Sequence, residues 1–325
     1  MSAVTSRAGR VLLRVLPYAV AYVGVLALIN LGIINDYLMA TIVTICINII
    51  LAVSLNLVTG FTGQFSLGHA GFMAIGAYAA GIVTMAVPTV WGFLGGLLLG
   101  AVLAAAVGFL VGLPTLRLRG DDLAIATLGM AEIIRILLLN FEWSNGAAGL
   151  SGIPQIVDWN WLFLFTAGSI FLIGNFLRSS QGRDCISIRE DEIAAESVGV
   201  HAVRAKMMAF IIGAFFAGIA GALYASYFYF IKPDLFGFLK SIDILVIVVL
   251  GGLGSISGSI IAAILLAVVS TLLQEFAAVR MIVYAFVLVV IMIFRPQGLM
   301  GSREVSFGFL SKLGRRRPTY AGEAA

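Results

Sequence analysis

Long apolar runs broken by short polar or Gly-rich interruptions dominate this chain. A helix needs about 20 predominantly apolar residues to cross the hydrocarbon core of a bilayer. Runs of that kind fall at about 13–34, 37–58, 65–87, 90–114, 122–141, 160–178, 207–230, 241–254, 256–276 and 280–294. The run 241–254 is short for a crossing, and Gly251, Gly252 and Gly254 at its end predict a broken helix or a re-entrant turn. The fold class predicted is all-α: a polytopic membrane protein of about eight to ten transmembrane helices with broken or re-entrant segments.

Composition agrees with the pattern. Of 325 residues, 61% are hydrophobic and 11% charged, against about 25% charged in an ordinary soluble domain. A soluble globule of this size could not cover itself with so few charges, so lipid must solvate much of the surface. The 37 glycines suit a bundle in which small residues let helix backbones approach closely. The start of the chain, with Arg7, Arg10 and Arg14 before an apolar stretch, reads as a retained first span rather than a removed leader.

Charge gives orientation. With ten spans and an inside N-terminus, the outer ends take only Lys232, Lys240 and Arg280, and Arg135 lies within a span; the other 16 of the 20 Lys and Arg fall on cytosolic ends and loops. By the positive-inside rule both termini are cytosolic. The net charge of +4 is thus an orientation signal and does not imply nucleic acid. Arg315-Arg316-Arg317, in a basic tail over about 296–325, suits anionic lipid headgroups. One transmembrane domain over 1–325 accommodates all of these segments, with no separate soluble domain.

Two polar segments interrupt the spans. The outer loop from Trp143 to Asp158 has no Lys or Arg, whereas 179–206 is the most charged part of the chain. Within the latter, Ser187-Ile188-Arg189-Glu190 fits a capping box. Glu190, Asp191 and Glu192 would then complement the dipole of the first turn, and Gly199 would stop the helix. That predicts one cytosolic helix of about 11 residues, roughly 16 Å long, either a plain solvated helix or one that docks into another protein. A weak internal echo also exists: Gly60-Phe61-Thr62-Gly63 and Gly251-Gly252-Leu253-Gly254 each lead into a small-residue-rich span.

Other polar residues lie inside the spans. Glu132 and Arg135, three apart on one helix face and near the midplane, are expected to pair toward the bundle interior, as a structural bridge or as a gate. Gln64, Ser66 and His69 lie between glycines in Gly63–Gly71, where irregular backbone at membrane depth must be buried in protein or border a pathway. Asp243 opens a span, at the interface or on the pathway. Asn48 and Asn56, eight apart on one face, could serve as interhelical glue. Catalytic constellations are missing: there is no paired-carboxylate or Ser/His/Asp pattern, and the two histidines and two cysteines form no metal-ligand spacing. None of the four lysines follows a Gly, so the chain has no P-loop. Any use of ATP must come from another chain.

Several runs resemble a known family. Thr115–Gly129 continuing through Glu132 and Arg135 to Asn140, Arg189–Glu196, Ala217–Ala222, Val248–Gly254 and Arg295–Leu299 are similar, in order, to LivM-type permease subunits of branched-chain amino acid ABC importers. The resemblance implies an assembly with a homologous second permease, two cytosolic ABC ATPases that bind ATP and Mg²⁺, and an extracytoplasmic amino-acid-binding protein. This chain would hold no cofactor itself and would carry half of a pathway for Leu, Ile or Val in a bacterial or archaeal inner membrane. Urea, short amides or other amino acids are the substrates of related permeases; an ion-coupled secondary transporter is the more distant alternative. It further implies that Arg189, Glu190, Asp191, Glu192, Ala194, Ala195, Glu196 and Gly199 couple this chain to the ATPases. Ile193 stands where the coupling pattern has Glu, with the acid displaced to Glu192, and Asn145–Gly149 replaces a Gly-Gly-Pro-rich run.

Overall fold

The computed structural model describes residues 34–272 except 119, together with positions within 19–32, residues 286 and 289, and 298–301. The chain divides into two units, Met1–Ile34 with Glu304–Ala325, and Asn35–Arg303. In the first, residues 22–29 are helical; the second holds all that follows. Residues 13–18 of the expected first span, the expected span 280–294 apart from 286 and 289, and the basic tail beyond 301 with Arg315–Arg317 lie outside the described residues.

Ten helices follow one another in the described part of the second unit: α1 (Asp36–Asn56), α2 (His69–Ala86), α3 (Val90–Thr115), α4 (Asp121–Asn140), α5 (Trp159–Arg178), α6 (Ser180–Glu190), α7 (Glu192–Ser197), α8 (Ala202–Phe228), α9 (Phe238–Gly251) and α10 (Ile256–Leu272). Among the described residues, five are long and apolar enough to cross a membrane: α1 with its extension to Phe61, α2, α3, α5 and α8. With almost no strand, this is the all-α polytopic architecture expected. The 14 residues of α9 reach only about 21 Å, short of the roughly 30 Å hydrocarbon core; it is the broken element its glycines predict.

The core is a trio of helices, α2, α3 and α8, packed backbone to backbone. A Cβ on Gly76 would lie 2.1 Å from the carbonyl oxygen of Gly218, and one on Gly100 would lie 2.8 Å from that of Gly76. Without a hydrophobic drive between helices in lipid, such close van der Waals contact is what holds them. Around the trio, α3 and α5 expose Leu98, Val102, Leu110, Phe171 and Leu172, the apolar exterior that a bilayer solvates.

One end of the bundle carries α6 and α7. At the other, a two-residue antiparallel bridge joins β1 (Leu150–Ser151) to β2 (Phe230–Ile231), with Leu150 opposite Ile231. Tyr229 ends α8 in the left-handed region at φ 48°, and its carbonyl accepts from Gly152 N at 3.2 Å. The loop after α4 is thereby tied to the loop after α8.

Candidate functional site

The charged segment folds as two short helices, and this corrects the expected single one. Ser179 caps α6, its hydroxyl accepting from Gly182 N at 3.2 Å. Ser187, the expected cap, lies within α6 and donates to the Asp184 carbonyl at 2.8 Å; Glu190 is at the C-terminal end rather than on a first turn. The chain turns extended at Asp191 (φ −158°, ψ 111°), whose Oδ1 accepts from Ile193 N at 2.9 Å and Ala194 N at 3.0 Å and starts α7. The reason is side-chain reach. Of the three successive acids only Asp is short enough to fold onto the N–H groups two and three residues ahead. Gly199 ends the pair at φ 93°, as expected of a helix stop.

Apolar burial and one ion pair hold the two helices onto α8. Cys185, Ile188 and Ala195 are buried, and the Cys185 thiol donates to the Ala205 carbonyl at 3.6 Å. Burial pushes that thiol up to about 11. Lys206 Nζ donates to Glu192 Oε1 at 2.7 Å, with only 12% and 25% of the two side chains exposed. The opposite face is open. Ile193 is 76% exposed and Val198 79%, among exposed Glu190, Ala194, Glu196 and Gly199. Beside them Glu196, Gly199, Val200, His201, Ala202 and Val203 line a groove of about 250 Å³.

Arg189 points the other way, into the bundle. Its Nη1 donates to the Gly60 carbonyl at 2.9 Å, and its Nε to Glu190 Oε1 at 3.1 Å. Gly60 lies in a five-residue π-turn, Leu57–Phe61, that closes α1. The two Gly-rich breaks that echo each other in sequence meet here: a Cβ on Gly60 would lie 2.3 Å from Gly254 N. Asn56, fully buried, holds them together. Its Nδ2 donates to the Ser255 carbonyl at 2.9 Å and to Ser259 Oγ at 2.8 Å, and its Oδ1 accepts from Gly254 N at 2.9 Å. Residues past α10 join the same place, with Leu299 N donating to the Leu250 carbonyl at 2.8 Å. Gln64, three residues beyond the π-turn, is 3% exposed and neither polar atom of its carboxamide has a protein partner.

The remaining polar residues divide into a buried and an exposed set. His69 is buried, with Nε2 2.8 Å from Ser54 Oγ, and Ser66 Oγ accepts from Gly68 N at 3.4 Å. Glu132 and Arg135 do pair, Nε to Oε1 at 2.7 Å. They do not face the bundle interior, however: Glu132 is 40% and Arg135 23% exposed. Arg135 is drawn outward because its Nη1 also reaches Asp234, at 3.1 Å, in the turn between β2 and α9. Asp243 is exposed on α9. One turn earlier, on the first turn of α9, Lys240 Nζ donates to Asn48 Oδ1 at 3.2 Å, halfway along α1. Lys240–Asn48 and the inward Arg189 were the relations that periodicity did not disclose. Asn48 on the face of Asn56 was the available signal.

Residues 37–295 match the family described as branched-chain amino acid transport system / permease component. The chain belongs to that family. The LivM permease of Escherichia coli (strain K12), a high-affinity branched-chain amino acid transport system permease protein, is 41% identical over 289 residues, covering 78% of this chain and 68% of its own. Its LivH counterpart from the same organism is 26% identical over 292 residues, covering 79% of this permease and 92% of its own. A probable branched-chain amino acid transport permease protein LivM of Methanocaldococcus jannaschii is 24% identical over 314 residues, covering 79% and 91%. No solved structure matches significantly. The chain is therefore a multi-pass membrane permease subunit.

Proposed function

We propose that this permease forms half of the translocation pathway of an ATP-driven importer for branched-chain amino acids. Family membership across residues 37–295 carries the reading, because two different branched-chain amino acid transport system permease proteins, LivM and LivH, are both similar to this one chain. A related second permease completes the pathway, and an extracytoplasmic binding protein delivers Leu, Ile or Val to it. ATP and Mg²⁺ are bound by two cytosolic ATPases; this chain performs no catalysis and holds no cofactor. Both termini and the α6–α7 end face the cytosol.

The open face of α6 and α7 supports the docking role. Glu192 is already paired with Lys206, so Ile193 and Val198, beside the groove, supply an apolar contact in place of an acidic one. Complementary apolar packing of this kind is what anchors an interface. Glu190, Asp191, Ala194, Ala195, Glu196 and Gly199 shape and border that face. Gln64, Ser66, His69, Glu132, Arg135 and Asp243 remain the polar residues proposed to border a pathway or gate, and of these Asp243 is exposed.

The test is reconstitution of the complex in vesicles loaded with ATP, with uptake of radiolabelled leucine as readout. Uptake should require the ATPases and the binding protein, and Ile193→Asp with Val198→Asp should abolish co-purification of the ATPases while leaving the permease in the membrane. Leucine accumulation by this chain alone would refute the proposal. A binding protein that prefers urea or short amides over leucine would move the substrate within the same family.

A further inference from the structure

We infer that Arg189 is the positioning residue through which movement of the cytosolic helices enters the membrane bundle, by gripping the paired breaks in α1 and between α9 and α10. This rests on the reading above that partner ATPases dock on α6 and α7.

Three observations converge. First, Arg189 is covalently part of the helix pair but hydrogen-bonded to the bundle. Its Nη1 donates to Gly60 O, a carbonyl within the π-turn of α1, and such turns, where regular helical bonding is interrupted, recur at functional sites. Second, the fit around the side chain is made by backbone. A Cβ on Gly254 would lie 2.6 Å from Arg189 Nη1, and one on Gly63 would lie 3.3 Å from its Cγ. Both glycines have positive φ, 86° and 73°, so these segments are shaped to receive the arginine from two sides. Third, the Gln64 carboxamide is buried and unpartnered immediately beyond the π-turn. Leaving a buried amide unsatisfied is costly. A movement of the Thr62–Gly68 segment can therefore gain a hydrogen bond at this carboxamide without breaking one it already makes to protein.

Together these describe a lever and a hinge. The lever is α6, carrying Arg189 at its end. The hinge is the pair of broken helices clasped at Gly60 and Gly254, and pulling on the Gly60 carbonyl shifts α1 and the α9–α10 turn at once. Arg189 therefore does not contribute to holding the ATPases; that falls to the opposite face, with Ile193 and Val198.

The reconstituted complex tests this with two variants. Arg189→Met keeps the aliphatic stem against Gly63 and removes the donor. Arg189→Lys keeps a cation that can still reach the carbonyl. ATPase subunits should co-purify with both. For Arg189→Met the leucine imported per ATP hydrolysed should fall by about tenfold, the scale of an ordinary coupling free energy, with ATP hydrolysis continuing; Arg189→Lys should recover part of the ratio. An unchanged ratio in Arg189→Met overturns the inference, and so does loss of the ATPases from that variant, which would make Arg189 a docking residue. Absence of ATP-dependent leucine uptake in the unmutated complex would instead refute the proposed function.

Discussion

Removing the Asn56 carboxamide should destabilise the bundle more than any other single polar truncation in α1. Its three short bonds connect α1 to Gly254, Ser255 and Ser259, and no water reaches the fully buried side chain. Interhelical hydrogen bonds in membrane proteins average about 0.6 kcal/mol and reach about 1.7 kcal/mol. Three of them give about 2 kcal/mol, and the space left by Asn56→Ala adds roughly 1 kcal/mol. At about 2.1 cal/mol/K per residue, unfolding 325 residues carries about 0.7 kcal/mol/K, so about 3 kcal/mol corresponds to a fall in Tm of roughly 4 °C. Asn56→Asp separates hydrogen bonding from volume. It keeps the acceptor for Gly254 N but sets an oxygen against the Ser255 carbonyl, and burying an uncompensated charge costs about 3–5 kcal/mol. Asn56→Asp should therefore fall further than Asn56→Ala in a fluorescence-detected thermal unfolding assay in detergent. Equal stability of Asn56→Asp and the unmutated chain would refute the reasoning.

Three further outcomes follow from the packing. Gly76→Val should prevent assembly of α2 on α8, because the first added carbon lies 2.1 Å from the Gly218 carbonyl oxygen; recovery of monodisperse protein by size-exclusion chromatography would contradict the close approach. Charge reversal by Glu192→Lys or Lys206→Glu should each cost about 1 kcal/mol or more at this half-buried pair, with the double exchange restoring most of it; a double-mutant cycle with no coupling energy would show the pair to be incidental. Cys185 should resist maleimide at pH 7–8 in the folded protein and react after denaturation. Its thiol is raised from an ordinary 9.0 to about 11, so the folded state keeps the proton longer than the unfolded chain. The stability this contributes is full below about pH 9 and lost as pH climbs toward 11; labelling at neutral pH as fast as a free thiol would contradict the burial.

Apolar run length disclosed most of the fold. The limits of α1 to α5, α8 and α9 and the start of α10 fall within a few residues of the runs, because the length needed to cross a bilayer and the Gly and charged interruptions are both one-dimensional signals. The segment 179–206 was legible as a capped, charged helical stretch ending at Gly199, but not as two helices. Its sequence offers Ser179, Ser187 and Asp191 as rival caps, and tertiary relations such as the Cys185 thiol meeting the Ala205 carbonyl of α8 are not written in local sequence. The outward turn of Arg135 was hidden for a similar reason. Its second partner, Asp234, is 99 residues away, and no periodicity reports such a distance. The echo between the two Gly-rich breaks, weak as a repeat, turned out to mark surfaces that touch.

Where α2, α3 and α8 meet at Gly76, Gly100 and Gly218, main chain rests on main chain, leaving no side chains there to change rotamer. Sliding one of these helices by even half a turn would drive Ala101, Ala104 or Met73 into a space sized for hydrogen. The three are consequently locked as a keel, and a cycle that opens the protein first to one side and then to the other must be carried by what flanks them.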